Sequence, residues 1–253
     1  MNKRGQVSTF FILGIVLVII VALIFFVRKQ SGIGIPAADF LGSKLNTIEN
    51  DVKRCIDKQG DNLAKEFLEQ GGEFYPSDYL LYKGRKVKYY CKNIPKDEKC
   101  LNYMQPLNEI EDNFNTRLRT EIENCLNKDL VKKDAFGGYE VTTGSLSTSV
   151  DSTGDGLLVS VNYDVTITKG ETRTKLGKVN RVISVPMKEL YDVSFDIVNS
   201  EAQYGFFEQL FYMLNKKGMY IINIDKPFPH KVYKVNKKGS KHELWFAVEG
   251  EPS

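Results

Sequence analysis

Two histidines, one tryptophan and four cysteines are all that the 253 residues hold of those side chains, and each scarcity excludes something. A catalytic dyad needs a nucleophile within hydrogen-bond reach of a base, and only His230 and His242 are there to serve as imidazole bases. Both fall in the region of a C-terminal hairpin, where surface or strand-edge placement is expected. No Gly-x-Ser-x-Gly elbow and no phosphate loop occurs. No Asn-x-Ser/Thr sequon is present, so N-glycans cannot cover an exposed patch. Acidic residues are missing from the first 29 positions, which carry Lys3, Arg4, Arg28 and Lys29. Taking those four from 35 basic residues leaves 31 against 32 acidic ones, so the rest of the chain stands near −1. A body of that balance has no electrostatic footprint for nucleic acid.

What is there begins with an apolar run. Phe10 to Val27 holds no charged or strongly polar side chain. As a helix it rises about 27 Å, close to the ~30 Å hydrocarbon core of a bilayer. A secretory signal has a shorter apolar core and a small-residue cleavage site after it. This run ends instead in Phe25-Phe26-Val27-Arg28-Lys29-Gln30, so a retained transmembrane helix is expected. Two basic residues flank it on each side, and the positive-inside rule nearly ties. The cysteines break the tie. Cys55, Cys91, Cys100 and Cys125 are even in number and clustered, as two disulfides outside the cytosol would be. Zinc is the rival, but Cys-x2-Cys spacing is missing; free core thiols are the third alternative.

Ser31 to Pro36 breaks the first helix with two glycines and a proline. From Ala37 to about Gln70 apolar residues recur at spacings of three and four, with Gly60 ending or kinking the helix and Gly71-Gly72 stopping it. Leu80-Leu81-Tyr82 and Val87 to Tyr90 read as short strands around a Lys83-Gly84-Arg85 turn. A second amphipathic helix spans about Leu107 to Leu130, with Ile110, Phe114, Leu118, Ile122, Cys125 and Leu126 on one stripe. Cys55 and Cys125 then both face a core, so the preferred pairing is Cys55–Cys125 with Cys91–Cys100; two other connectivities stay open.

After Gly138 the period becomes two. Segments 139–150, 156–169 and 172–185 read as antiparallel strands. Pro186 starts a long amphipathic helix to about Lys217, and short strands follow near 219–224, 230–236 and 242–248. The expected fold class is α+β. It comprises a transmembrane helix, a helical disulfide-containing segment, then an antiparallel β-sheet with a long amphipathic helix and a C-terminal hairpin. The expected organisation is 1–30 leader and transmembrane helix, 31–36 break, 37–135 helical disulfide region and 136–253 sheet-plus-helix region.

Several segments invite chemistry and have plainer explanations. Asp151-x-x-Gly154-Asp155-Gly156 has a hint of a calcium loop, but Thr153 takes a position where an acidic or amide side chain is needed. A hairpin turn is the better reading. Glu109/Glu111 and Glu121/Glu123 fall on solvated sides of a helix. The tyrosines of residues 75–103 suit either a binding loop or burial. Phe206, Phe207, Leu210, Phe211, Met213 and Leu214 are apolar around much of a helix, for which core is favoured over a docking face. No catalytic residue, metal ligand or cofactor is expected.

Lys3-Arg4-Gly5-Gln6-Val7-Ser8 followed directly by the apolar run resembles the class III signal of archaeal type IV pilin-like surface proteins. The resemblance implies processing between Gly5 and Gln6, with the mature helix packing in a filament core. Members commonly have Glu five residues into the mature chain; this sequence has Phe10. The helix ending in Cys55, then Gln70-Gly71-Gly72-Glu73-Phe74 and Met104-Gln105-Pro106-Leu107, also resembles uncharacterised membrane-anchored proteins of small-genome archaea. The implied function is a cell-surface structural or adhesive subunit, with a non-assembling tethered binding protein as the alternative and an extracytoplasmic enzyme a distant third. The implied partners are the lipid bilayer, copies of the chain through the N-terminal helix, and a surface partner of unknown identity.

Overall fold

The computed structural model describes residues 5–30, 37–93, 99–130 and 139–250. Helix α1 covers Gly5–Gln30 without interruption. Its described side chains run only from Ile12 to Phe26, and among the described residues no helix is long and apolar enough to cross a membrane. The apolar run of the sequence passes beyond those limits at both ends.

Helix α2, Ala37–Glu69, is continuous. Gly60 does not end it, contrary to one expectation. A side chain is missing there because Ile183 packs against the helix at that point. Beyond Glu69 the chain turns through Gly71 and Gly72, both at positive φ, and their N–H groups bond back to Leu68 and Phe67 carbonyls. That is the glycine stop at a helix C-terminus that the sequence predicted. Helix α3, Leu107–Leu130, buries Ile110, Phe114, Leu118, Ile122 and Leu126 along one stripe. Phe67 meets Phe114 near one end of the α2–α3 pair and Cys55 meets Cys125 toward the other, so the helices are antiparallel.

Two sheets pack on this pair. Sheet I contains β1 (Tyr79–Tyr82), β2 (Arg85–Asn93), β3 (Cys100–Asn102), β8 (Tyr220–Asp225), β9 (Lys231–Lys237) and β10 (Glu243–Val248). Its order is β1-β2-β10-β9-β8, with β3 also on β2, and β2–β10 is the one parallel pairing among the described residues. Lys83 and Gly84 both take positive φ between β1 and β2, as a tight two-residue hairpin turn requires. Sheet II contains β4 (Glu140–Thr153), β5 (Gly156–Lys169), β6 (Thr172–Lys175) and β7 (Val179–Ile183). Leu157, Val159, Val161, Tyr163, Val165 and Ile167 alternate along β5 into the core. The strand expected over 172–185 is split, because Leu176 turns inward and its N–H bonds the Val165 carbonyl. Both pieces still pair with β5.

The helix expected from Pro186 to Lys217 is also two. Helix α4, Met187–Tyr204, stops at Gly205 in the left-handed region, whose N–H reaches the Glu201 carbonyl. A seven-residue α5, Gln209–Asn215, follows. One buried cluster runs from Leu41 on α2 through α3, β5 and α4 to Val248 on β10. A smaller cluster of Val87, Val232 and Ala247 lies apart from it, closed by Leu80, Tyr82, Tyr89 and Trp245. The fold is therefore α+β, with mixed and antiparallel sheets and two disulfides.

Candidate functional site

The cysteines pair as preferred, Cys55–Cys125 and Cys91–Cys100, and none is free. The first bond joins the two long helices; the second ties β2 to β3 next to the Asn93–Cys100 register position. Gly5 and Gln6 open α1, while Lys3 and Arg4 lie outside the described residues.

The histidines are held far apart. His230 precedes β9 and His242 precedes β10, which are antiparallel neighbours, so the two sit at opposite ends of one hairpin. That separation is roughly 20 Å at the rise of a strand. His230 is half-buried, its ring 5.6 Å from that of Tyr89. His242 corrects the surface expectation: it is only 2% exposed. Its Nε2 lies 3.2 Å from Asp61 on α2, and its Nδ1 has no partner. Burial pulls the ring below the ordinary imidazole range, with Asp61 opposing and Lys241 and Lys65 adding to the effect. For Asp61 burial pushes upward, but the hydrogen bond and charge of Lys241, with His242 behind them, win and lower it.

The Asp151–Gly156 segment closes the β4–β5 hairpin, with Thr153 paired to Gly156 and Gly154-Asp155 making the turn. Among the described residues no group of three or more His, Cys, Asp or Glu side chains is placed to hold a metal ion. The turn forms one wall of a cleft of about 480 Å³, shared with Ser184, Pro186, Glu189 and the Lys237–Lys241 turn. Its lysines are largely committed. Lys237 bonds both Glu189 oxygens at 2.7 and 2.9 Å, and Lys241 bonds Asp61 at 2.6 Å. A cleft neutralised in this way holds little net charge for an anion. Glu109 and Glu123 are solvated as expected, whereas Glu111 accepts the Ser152 N–H at 2.7 Å. The tyrosines divide: Tyr90 is buried with its hydroxyl on the Gly71 carbonyl, while Tyr75 and Tyr103 stand exposed.

The least expected surface lies where α4 ends. Glu201 is buried in its last turn, and Lys231 at the start of β9 bonds both carboxylate oxygens at 2.9 and 2.7 Å. The Tyr233 hydroxyl donates to the same carboxylate; burial, then the Glu201 charge, pushes that phenol above its usual range. Lys231 also donates to the Gly205 carbonyl at 2.9 Å. Such a buried, hydrogen-bonded pair costs a great deal to break from one side, so the turn after α4 is held firmly. That turn sends Phe207, Tyr212 and Met213 inward, with the Phe207 ring against Tyr233 and the Tyr212 hydroxyl 2.7 Å from Asp196. Phe206, Leu210, Phe211 and Leu214 point outward, at 54%, 65%, 66% and 77% exposure. The core expectation for this cluster thus holds for Phe207 and Met213, which pack against the core, and is corrected for Phe206, Leu210, Phe211 and Leu214. Phe228, between Pro227 and Pro229 in the β8–β9 loop, is 83% exposed.

The exposed side chains are spread along the sheet: Gly205 and Phe206 lie by Lys231, whereas the end of α5 leads to Met219, whose carbonyl accepts the Lys238 N–H at the other end of β8. Near its start α2 meets sheet II, where Lys44 lies over Tyr139 beside β4; further on, Gly60 meets Ile183 and Asp61 meets Lys241. Gly71 then reaches the Trp245 carbonyl, so β10 runs onward in the direction of α2. Val248 pairs with Lys231, where α4 ends and the Phe228 loop begins. About 35 Å of helix axis separates Ala37 from Gly60 alone, and the Phe228 loop lies beyond. Compared with known protein families, curated proteins and solved structures, the chain matches none.

Proposed function

We propose that the chain is a pilin-like surface subunit, anchored in a membrane through α1 and displaying its α+β body outside the cell for structural or adhesive use. The observation that carries the reading is α1 itself. From Ile12 to Phe26 its side chains are apolar or glycine and exposed all round. A helix apolar on every side requires lipid or other helices around it. The two disulfides support an oxidising compartment for the body, and Lys3-Arg4-Gly5-Gln6 supports processing ahead of Gln6. The reading gives the body no catalytic role.

A second reading, a tethered binding protein that does not assemble, draws on Phe10. A glutamate at that position would be costly among apolar helices unless paired, and so would fix subunit register; phenylalanine fixes nothing of the kind. The test is the N-terminal residue of protein purified from its own cells, together with an alkaline wash of its membranes. A chain that starts at Gln6 and stays in the washed membranes is the expected result. A start at Met1 or Asn2 with retention selects the second reading, and release into the wash sinks both.

A further inference from the structure

The cleft between the β4–β5 and β9–β10 turns has walls that backbone geometry fixes. Gly156 takes a positive φ, and a Cβ there would lie 2.2 Å from the Ile183 carbonyl oxygen. Glycine therefore lets the β4–β5 turn seat directly on the end of β7, beside Ser184. In the other wall the Ser240 N–H closes the β9–β10 turn on the Lys237 carbonyl at 2.8 Å. Pro186 and Glu189, at the start of α4, complete the lining. The volume of about 480 Å³ is that of a small-molecule site.

The lining selects among ligands. Three carboxylates, Asp61, Asp155 and Glu189, stand against three ammoniums, Lys237, Lys238 and Lys241. Net charge thus draws in neither an anion nor a cation. Pro186 carries the one apolar side chain among the described lining residues, so an apolar ligand gains little there. Polar groups remain, and they lie close together. Lys237 uses two of its three donors on the Glu189 oxygens, at 2.7 and 2.9 Å. That hydrogen bond raises the Lys237 ammonium above its ordinary range; burial opposes it, and the charges of Glu189 and Asp155 assist. The Ser184 and Ser240 hydroxyls both donate and accept. At Gly154 and Gly239 the peptide groups carry no side chain, and a Cβ at either would meet nothing within 4 Å. Ion pairing holds the charged groups in place before a ligand arrives, which lowers the ordering cost of binding. Close-set donors and acceptors of balanced charge match vicinal hydroxyls, each of which donates and accepts in turn.

We infer that this cleft binds a neutral sugar unit of a glycan, with Asp155, Glu189, Lys237 and the two serines on its hydroxyls. The inference deepens the adhesive reading above and rests on it for its use, since it names what the surface subunit holds. Affinity for one sugar is weak, in the millimolar range, because each polar group exchanges water for a hydroxyl at small net gain. Many copies on one surface raise it through multivalency.

The test uses the full chain in phosphatidylcholine nanodiscs and titrations followed by saturation-transfer NMR. The probes are the methyl glycosides of glucose, galactose, mannose and N-acetylglucosamine, with methyl glucuronide as the anionic comparison. At least one neutral glycoside should bind, and more tightly than the glucuronide. Gly154→Tyr should abolish that binding, its ring filling the cleft. Thermal unfolding should not change, because Gly154 is exposed, lies outside the left-handed region and has open space at its Cβ. Asp155→Ala, at an exposed position, should lower the affinity by about threefold to tenfold, the effect of one lost hydrogen bond. If Gly154→Tyr lowers thermal stability, Asp155→Ala decides. Silence from all four neutral glycosides, undiminished binding in these variants, or tighter binding of methyl glucuronide than of every neutral probe would each overturn the proposal. The last result would make the cleft an anion site. Failure of the adhesive reading is seen separately: a chain released by the alkaline wash that still binds a glycoside loses its anchor and keeps its cleft.

Discussion

His242 holds a neutral ring where solvent scarcely reaches, and that placement has a pH signature. The ordinary value of 6.5 is lowered by burial, more than Asp61 on α2 can restore, while Lys241 and Lys65 lower it further. As pH falls through about 6.5 the unfolded chain binds a proton that the native ring resists. Stability from this site is thus present above 6.5 and declines toward the lowered native value. Asp61 is depressed from 3.8, so its contribution persists above that value and is lost only at more acid pH. Thermal unfolding from about pH 7.5 down to about 5.5 should show a decline that His242→Gln flattens; parallel curves for the two chains would remove His242 as the cause. None of this was legible in the sequence. The hairpin position of His242 points to a surface, and its partner Asp61 lies 181 residues away on a helix packed against that hairpin.

Elements were more legible than their junctions. The stripes of α2 and α3 and the alternation of β5 are periodic, and periodicity reports a buried face directly. The cysteines followed from the same signal, because Cys55 and Cys125 fall on core-facing stripes. Two misreadings came from glycine. Gly205 lies between apolar residues that keep helical spacing on both sides, so the sequence hides a turn that redirects Phe206 and α5 outward. Gly60 looks like a break, yet the helix continues through it and Ile183 of β7 packs in the space a side chain would take. A Cβ placed there would overlap the Ile183 Cδ1 atom, and Leu118 stands behind it. Gly60→Ala should therefore destabilise the fold by about 1–3 kcal/mol, as overpacking does, despite alanine's better helix propensity. Ile183→Val removes the overlapping atom, so the double variant should lose less than the two single losses added together. Denaturant unfolding of the four chains measures it, and strict additivity would show that the two residues are not in contact.

At the scale of the molecule, the N- and C-terminal parts of the chain are interleaved. The change of period after Gly138 marks where sheet II begins, but β10, near the C-terminus, lies between β2 and β9. Glu249 extends this closure, with its carboxylate on the Asn93 N–H at 2.9 Å and its own N–H on the Cys91 carbonyl. Helix α2 packs on strands of both sheets, and Cys55–Cys125 closes a separation of 70 residues beneath sheet II. A parallel pairing between distant strands cannot be read from local pattern, because each strand carries only its own alternation. Continuity of the core has an energetic consequence: opening either sheet exposes side chains that the other sheet's helices depend on. Native-state hydrogen exchange on the full chain tests this, since the slowest amides report the units that open together. The central strand β5 of sheet II and strands β9 and β10 of sheet I should share one opening free energy, equal to that of global unfolding. Exchange of β5 at a clearly lower level, with β9 and β10 still protected, would divide the body into two cooperative units and make α2 a bridge between them.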